Sequence, residues 1–349
     1  MTGAGGTGGG GTGSGGAGAS GAGASGAGSG GTGSGGAGAS GAGASGAGAS
    51  GADKGGRVLV AVVGTGRMGA AMVARLRSAG ADVVIFNRTA ARASEVAAAT
   101  GARVAASAAE AAAAAPVVLV SLADDRAVAD TYGGGDEGIL AGVRAGTVIA
   151  DTSTVDPRTV TGLAALVAGK GAWLLDTPVS GSVPAVMQGT LTVLAGGEAS
   201  ALELARPVLD LLAKRIFHVG PSGSGAVMKL AVNSMVHALN QSLSEALVLA
   251  EKAGIDLSVA YDVIGASVAG APFVQYKRRA FEHPEDAPVA FTLELVAKDL
   301  ALVLGLAERV GARLPQATVN RAAADDAVEA GLGEHDMAAM VRLLRERSN

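Results

Sequence analysis

Cysteine is absent from the 349 residues of this chain. Its absence excludes disulfide bonds, metal sites built on thiolates and cysteine nucleophiles together. The four histidines are scattered, which argues against a zinc cluster, so no metal site is expected. Aromatic residues make up only 3% of the chain and the formal net charge is -4, a combination that offers neither base stacking nor attraction to a phosphate backbone. Nucleic acid is therefore not an expected partner.

Long apolar runs are also missing. No stretch reaches the roughly twenty uninterrupted apolar residues that span a bilayer, so no membrane segment is expected. Residues 1–56 consist almost entirely of Gly, Ala, Ser and Thr in near-repeats such as GAGAS, with no charge before Asp53. Such a stretch buries too little apolar surface to offset its ordering entropy, which predicts a disordered tail; silk-like β self-association is the alternative. The tail has no secretory or mitochondrial signature, which favours a cytoplasmic location.

From Arg57 onward, short β-branched runs alternate with alanine-rich helical stretches. The runs RVLVAVV, DVVIF, PVVLVSL and TVIAD, with helices between them, are typical of βαβ units around a parallel sheet. The pattern predicts a helix from about Glu198 to Lys214 and a last strand at IFHVG.

After Gly220 the strand signal stops, and a helix of about thirty residues follows. The rest of the chain has a helical pattern, with breaks near Gly254, AGAP, HPEDAP and Pro315. We therefore predict an α/β fold: an N-terminal Rossmann domain with a doubly wound sheet over residues 57–221, then an all-helical C-terminal domain over residues 222–349.

A glycine-rich turn follows the first strand directly and opens a helix. In G-x-G-x-x-G spacing, the first glycine permits a tight turn, the second lets a pyrophosphate approach the backbone, and the third allows close packing of helix on strand. The helix N-terminus then faces the negative charge. A plain glycine-rich turn is the alternative, but the strand, turn and helix context favours a dinucleotide site. The residues of this turn are Gly64, Thr65, Gly66, Arg67, Met68 and Gly69.

The end of the second strand carries Asn87, Arg88 and Thr89, where an NAD enzyme has an acidic residue for the ribose 2'-hydroxyl. A guanidinium binds a 2'-phosphate through charge-assisted hydrogen bonds, and no carboxylate stands here to favour the free hydroxyl. The sequence therefore favours NADP(H) as cofactor and leaves NAD(H) open. The alternative is that Arg88 is a solvated charge at the end of a strand.

Several motifs together carry a family resemblance. GTGRMG, NRT, DTSTVDP, DTPVSGS, GAVMKLAVN and FTLELVAKDL, in this order, resemble the β-hydroxyacid dehydrogenase family, the group of 3-hydroxyisobutyrate dehydrogenases. The resemblance covers essentially all of residues 57–349, and NRT, PVSGS and SEALVLAEKAG are most similar to the NADPH-dependent glyoxylate and succinic semialdehyde reductase branch. It implies an active site in the cleft between the two domains, a homodimer or homotetramer, and hydride transfer between the cofactor and a small carboxylate-bearing aldehyde or β-hydroxy acid.

Lys229 and Asn233 are four residues apart and so share one face of the long helix. Lys229 stands alone in an apolar stretch, where an unpaired ammonium is costly. The resemblance makes Lys229 the general acid that protonates the substrate carbonyl, while Asn233 holds that oxygen or orients the lysine. Burial in a cleft is expected to lower the pKa of Lys229 toward working pH. His237 continues the same face, where we expect packing or a subunit contact.

Ser180, Gly181 and Ser182 follow a strand, and such small residues bring backbone N–H groups and hydroxyls up to a ligand. With the resemblance we expect them to bind the substrate carboxylate; the residues alone favour a plain Ser-rich turn.

Three further residues are assigned to the cofactor. The resemblance implies that Thr154 contacts the nicotinamide half of the cofactor and that Lys298 lies on the cofactor side, and we expect Leu122 to lie over the nicotinamide. A helix cap is the alternative for Thr154 and a surface salt bridge is the alternative for Lys298.

Two other functions share this architecture. An imine reductase has the same fold and often the NRT turn, but such enzymes usually lack a lysine at the position of Lys229. A non-catalytic dinucleotide-binding module is the second alternative, since a fold alone does not imply chemistry. Lys229 argues against the first alternative, and Lys229 with Asn233 argues against the second.

Overall fold

The computed structural model describes residues 57–348, and the predicted tail of residues 1–56 lies outside them. The strands in the described range are β1 (Leu59–Val63), β2 (Asp82–Phe86), β3 (Arg103–Val104), β4 (Val117–Val120), β5 (Val148–Asp151), β6 (Trp173–Asp176), β7 (Val179–Ser180), β8 (Leu191–Gly196) and β9 (Ala213–Gly220). The helices up to the end of the sheet are α1 (Arg67–Ser78), α2 (Ala90–Thr100), α3 (Ala108–Ala113), α4 (Asp125–Gly133), α5 (Ile139–Gly142), α6 (Pro157–Ala168), α7 (Val183–Gln188) and α8 (Ala199–Leu209). The helices beyond it are α9 (Ser224–Lys252), α10 (Leu257–Ala266), α11 (Pro272–Glu282), α12 (Leu293–Val310), α13 (Pro315–Ala327) and α14 (Met340–Arg347).

The strands form one sheet of nine within residues 57–348. Its order is β3-β2-β1-β4-β5-β6-β8-β7, with β9 paired to β8. The first six strands are parallel in the order 3-2-1-4-5-6, which is the doubly wound arrangement of dinucleotide-binding domains. The predicted Rossmann sheet followed by helices is confirmed. Beyond β6 the sheet is mixed, because β8 runs antiparallel to β6 and β7 and parallel to β9.

The central strand β1 shows why the sheet is covered on both faces. Its residues Val60, Ala61, Val62 and Val63 are all 0% exposed. Alternate residues of a strand point to opposite faces. Val60 and Val62 belong to the core that contains Met72 of α1, whereas Ala61 and Val63 belong to a second core on the other face. A strand buried on both faces is hydrophobic throughout, as RVLVAVV is.

The helical part follows the predicted breaks, and α9 is 29 residues long. A third core lies among these helices and includes Leu243, Phe281 and Leu300. The predicted helix from Glu198 to Lys214 was too long, because α8 ends at Leu209 and the residues from Ala213 onward pair with β8 instead. Within residues 57–348, no helix is both long and apolar enough to cross a bilayer.

The join between the sheet and α9 leaves no room for a side chain at Gly225. A Cβ atom there would lie 2.4 Å from the carbonyl oxygen of Leu194 and 2.6 Å from that of Asp176. Both neighbours are backbone atoms of the sheet, so the helix itself has to shift. Gly162, in the exposed middle of α6, has no atom within 4 Å of the same position.

We predict opposite effects of alanine at these two glycines. Gly225→Ala should lower the free energy of unfolding by about 1–3 kcal/mol, as overpacking does, whereas Gly162→Ala should raise it by about 0.5–1 kcal/mol through helix propensity. Thermal and denaturant unfolding of both variants measure the difference. Equal stabilities of Gly225→Ala and the unchanged chain would contradict the close packing of α9 on the sheet.

Candidate active site

The glycine-rich turn has the shape that a bound pyrophosphate requires. Gly64 has a φ of +95°, and a Cβ atom there would lie 2.3 Å from the carbonyl oxygen of Ser121. At Gly69 a Cβ atom would lie 2.0 Å from the carbonyl oxygen of Gly64. Gly66 is different, because no atom lies within 4 Å of its Cβ position. The outer glycines thus close the turn, and the middle one leaves the start of α1 open to a ligand.

The neighbouring residues of the turn have separate contacts. Thr65 is buried, and its hydroxyl has no hydrogen-bond partner among the described residues. Met68 packs against the core, and the Arg67 guanidinium donates a hydrogen bond of 2.6 Å to the carbonyl oxygen of Val289. Arg67 therefore ties the glycine-rich turn to the segment that precedes α12.

Asn87 fixes the loop after β2 against the glycine-rich turn. Its side-chain oxygen accepts from the backbone N–H of Thr65 at 3.0 Å, and its amide donates to the carbonyl oxygen of Thr89 at 3.1 Å. A cleft opens beside this contact at the carboxyl ends of the strands. Its lining residues are Val63, Gly64, Gly66, Phe86, Asn87, Arg88, Thr89, Arg92, Ser121, Leu122, Ala123, Ala127 and Thr131.

The cleft has two cationic side chains on one wall. Arg88 and Arg92 both line it and both are exposed. Arg92 was not among the residues singled out from the sequence, although it lies in the first turn of α2, four residues after Arg88. The open glycine-rich turn and the free N-terminus of α1 together fit the pyrophosphate of a dinucleotide.

Leu122 follows β4 and also lines the cleft. Its backbone N–H donates to the hydroxyl of Ser153 at 3.0 Å, which ties the loop after β4 to the loop after β5. Thr154 follows in that second loop. It does not cap α6, because the carboxylate of Asp156 accepts from the backbone N–H of Arg158 there.

Lys229 lies where α9 passes the serine turn, which consists of Ser180, Gly181 and Ser182. Its ammonium donates to the carbonyl oxygen of Val179 at 2.8 Å, one residue before Ser180. Burial lowers the pKa of Lys229 and the ammonium of Lys298 lowers it further, while the carboxylate of Asp299 acts in the opposite direction. The structure thus brings the lysine and the predicted carboxylate-binding turn together.

The serine turn depends on its glycine. Gly181 has a φ of +129°, and a Cβ atom there would lie 2.8 Å from Leu191 and 3.0 Å from Ala185. Ser182 precedes α7, and its side chain makes no capping hydrogen bond to that helix. Its hydroxyl is therefore not committed to the end of the helix.

Asp299 of α12 is a fully buried carboxylate at the centre of the site, 0% exposed. One of its oxygens accepts from the amide of Asn233 at 2.5 Å, and the other lies 2.9 Å from the ammonium of Lys298. Burial alone raises the pKa of Asp299, but His237 and Lys298 hold it below its ordinary value. Lys298 also donates to the carbonyl oxygen of Thr154 at 2.7 Å, and its side chain is 23% exposed.

Asp176 of β6 was not predicted from the sequence as a functional residue. It is 1% exposed, and its carboxylate accepts from the backbone N–H groups of Gly223 at 2.9 Å and Ala226 at 2.8 Å. It therefore caps α9 one turn before Lys229. No sequence signal marks this role, because the carboxylate and the helix are far apart in the chain and helix caps are normally local.

Comparison with known proteins agrees with this geometry. A family model of the NAD binding domain of 6-phosphogluconate dehydrogenase matches residues 59–220. A second model, described as NAD-binding of NADP-dependent 3-hydroxyisobutyrate dehydrogenase, matches residues 223–344.

Individual relatives align over most of their own length. Glyoxylate/succinic semialdehyde reductase 2 of Arabidopsis thaliana is 32% identical over 84% of this chain and 81% of its own. The 2-(hydroxymethyl)glutarate dehydrogenase of Eubacterium barkeri is 31% identical over 82% of this chain and 94% of its own. The structure of Mycobacterium tuberculosis 3-hydroxyisobutyrate dehydrogenase with L-serine is 32% identical, covers 83% of this chain and 99% of its own, and superposes with a TM-score of 0.72. The chain therefore belongs to the β-hydroxyacid dehydrogenase family, as an oxidoreductase of CH–OH groups with a nicotinamide dinucleotide cofactor.

Proposed function

We propose that this protein transfers a hydride between NADP(H) and a small carboxylate-bearing aldehyde or β-hydroxy acid, with Lys229 as the proton-transfer residue. The observation that carries the proposal is the 2.8 Å hydrogen bond from the Lys229 ammonium to Val179. It places a lysine of lowered pKa beside the turn of Ser180, Gly181 and Ser182. Glyoxylate and succinic semialdehyde, named for the Arabidopsis relative, are small substrates of this kind.

Each group in the site has a distinct task. The cofactor supplies or accepts the hydride. In the direction of reduction, Lys229 gives a proton to the carbonyl oxygen as that oxygen gains negative charge. An ammonium has three N–H groups, and Val179 takes only one of them, so the others are left for the substrate.

Asn233 acts beside the lysine. One N–H of its amide is committed to Asp299, and an amide has two, so the second is left for the substrate oxygen. The serine turn then binds the substrate carboxylate through its hydroxyls and backbone N–H groups. Thr154, Leu122 and Lys298 hold the nicotinamide side of the cofactor, as the tie from Lys298 to Thr154 supports.

We further propose that the domains divide at residues 221 and 222. Strand β9 ends at Gly220 and α9 begins at Ser224, which supports this boundary. The proposed substrate site lies across it, because the lysine comes from one domain and the serine turn from the other.

Replacing Lys229 tests the mechanism. Lys229→Met keeps most of the side chain but removes the ammonium, and it should lower kcat by about 10²–10⁴-fold, as the loss of a general acid does. Binding of NADPH should be unchanged, because the ammonium contacts the substrate side. Absorbance of the nicotinamide with NADPH and glyoxylate or succinic semialdehyde measures turnover, and Lys170→Met is the control for an exposed lysine.

The pH dependence of turnover is a second test of the role of Lys229. Reduction needs the protonated form, so kcat/KM for reduction should fall as pH rises through the pKa of Lys229, which lies below the ordinary 10.5. Oxidation of 3-hydroxyisobutyrate needs the neutral form and should rise over the same range. Full turnover in Lys229→Met would exclude this mechanism.

The proposed preference for NADP(H) over NAD(H) rests on Arg88, and Arg92 lines the same cleft. Hydrogen bonds to charged groups contribute about 1.5–3 kcal/mol, so Arg88→Ala should raise KM for NADPH by about tenfold to a hundredfold. KM for NADH should change little, because its ribose carries no 2'-phosphate. Arg92→Ala should act in the same direction. Arg206→Ala, on α8, is the control, and an unchanged KM for NADPH in both cleft variants would favour the solvated-charge interpretation of Arg88.

We also propose that the protein is a homodimer or homotetramer. Met228, Met235 and Leu249 lie seven or fourteen residues apart on one face of α9 and are 40%, 74% and 73% exposed. Residues at this spacing share one face of a helix. An apolar stripe of this length on a long helix fits the same stripe of a second copy.

A charge in this stripe should dissociate the oligomer. Met235→Glu should reduce the mass measured by light scattering to that of one chain, because the carboxylate would be buried without a partner. Leu166→Glu, an exposed apolar residue of α6 at 56% exposure, is the control and should leave the mass unchanged. An unchanged mass in Met235→Glu would exclude this face of α9 as the interface.

A further inference from the structure

The tyrosine of α4 is buried but makes a polar contact. Tyr132 is 0% exposed and packs in the core that contains Val120 and Ile139. Its hydroxyl donates a hydrogen bond of 2.9 Å to the carboxylate of Asp151, the last residue of β5, which is 5% exposed. A phenylalanine and an apolar strand residue would fill the same space without burying a polar group. Packing therefore does not explain this pair.

The carboxylate of Asp151 also holds the loop that follows β5. Its other oxygen accepts from the backbone N–H of Ser153 at 2.9 Å. The hydroxyl of Ser153 accepts in turn from the backbone N–H of Leu122 at 3.0 Å, in the loop after β4. Burial and the nearby charge of Asp151 raise the pKa of Tyr132 well above its ordinary value, so the phenol keeps the proton that it donates. These hydrogen bonds form one network, the Tyr132 network, which begins in α4 and ends at Leu122.

Both ends of the Tyr132 network lie at the cleft. Leu122 lines the cleft, and so does Thr131, the residue before Tyr132 in α4. Thr154, for which we propose a contact with the nicotinamide half of the cofactor, follows Ser153 directly. The network therefore ties α4, the loop after β4 and the loop after β5 to one another at the carboxyl edge of the sheet.

We propose that Tyr132 and Asp151 are positioning residues of the active site, which hold Leu122 and the loop after β5 in the arrangement that receives the nicotinamide ring. This inference rests on the proposed function, in which Leu122 and Thr154 hold the nicotinamide side of the cofactor. Both positioning side chains are buried and neither lines the cleft, so they act through the loops. Hydride transfer depends steeply on the geometry of the reacting atoms, so a displaced ring lowers turnover more than it weakens cofactor binding.

The first test needs neither cofactor nor substrate. Tyr132→Phe keeps the ring and removes only the hydroxyl, and exchange of the backbone N–H groups of Ser153 and Leu122 with deuterium is measured by NMR. Both groups should exchange about twofold to tenfold faster than in the unchanged protein, because the loss of one hydrogen bond weakens the network by that factor. Unchanged exchange at both groups would show that the tyrosine does not hold the loops.

The matched control is Tyr261→Phe. Tyr261 is also buried, at 2% exposure, and its hydroxyl donates to the carbonyl oxygen of Val274 at 2.6 Å within the helical part of the chain. This variant loses a buried hydrogen bond of the same kind, and it should leave the exchange of Ser153 and Leu122 as it is. Equally faster exchange in both variants would come from a general loss of stability and would contradict the proposal.

The second test separates kcat from KM. In Tyr132→Phe, kcat should fall by about tenfold while KM for NADPH stays within about twofold, because the glycine-rich turn still binds the pyrophosphate. Ser153→Ala removes the next contact of the network, and the double variant should be little slower than either single variant, because both substitutions break the same network. Full kcat in Tyr132→Phe, or effects that simply multiply in the double variant, would overturn the proposal.

The fluorescence of bound NADPH reports on the nicotinamide ring without turnover. In Tyr132→Phe its lifetime should shorten at an unchanged Kd, because a ring that is held less firmly loses its excitation faster, and an unchanged lifetime would contradict the positioning role. Failure of the proposed function is seen separately, as absence of turnover in the unchanged protein with each of the substrates named above.

Discussion

The site depends on a carboxylate of the sheet that holds the start of a helix. The first N–H groups of a helix have no partners within it, and Gly223 at the start of α9 has no side chain to cap them. Asp176 accepts from Gly223 and Ala226 instead. Burial raises the pKa of Asp176, while these backbone N–H groups act in the opposite direction. Because Lys229 follows Ala226 by less than one turn, this cap fixes the position of its ammonium relative to the sheet.

Further ties cross from the helices to the sheet on the cofactor side. Lys298 donates to the carbonyl oxygen of Thr154, at the carboxyl edge of the sheet. Near it, Arg309 pairs with Asp156 at 3.0 Å, at the start of α6. Both cations come from α12, so α12 is anchored to the loop after β5. The cap on α9 and the ties from α12 lie on different helices, and both anchor the helical part of the chain to the sheet.

Local sequence patterns predicted much of the fold and part of the site. The glycine spacing is readable because Gly69 packs directly on Gly64 within the same turn, although the close contact of Gly64 itself is with Ser121, after another strand. The pairing of Lys229 with Asn233 is readable because helical periodicity places them on one face. Asp176 and Asp299 were not given roles from the residues, because their partners are brought near only by the packing of α9 on the sheet and on α12. The predicted helix from Glu198 to Lys214 was too long because strand pairing with β8 decided the structure of its last residues.

The charges around Asp299 act on the pKa of Lys229, the residue for which we propose proton transfer. Burial lowers the pKa of Lys229, and a second lysine nearby lowers it further. The carboxylate of Asp299 opposes both effects, and it is kept ionised by His237 and Lys298. A lysine whose pKa is lowered by burial and opposed by a neighbouring carboxylate suits the proton transfer that we propose for it.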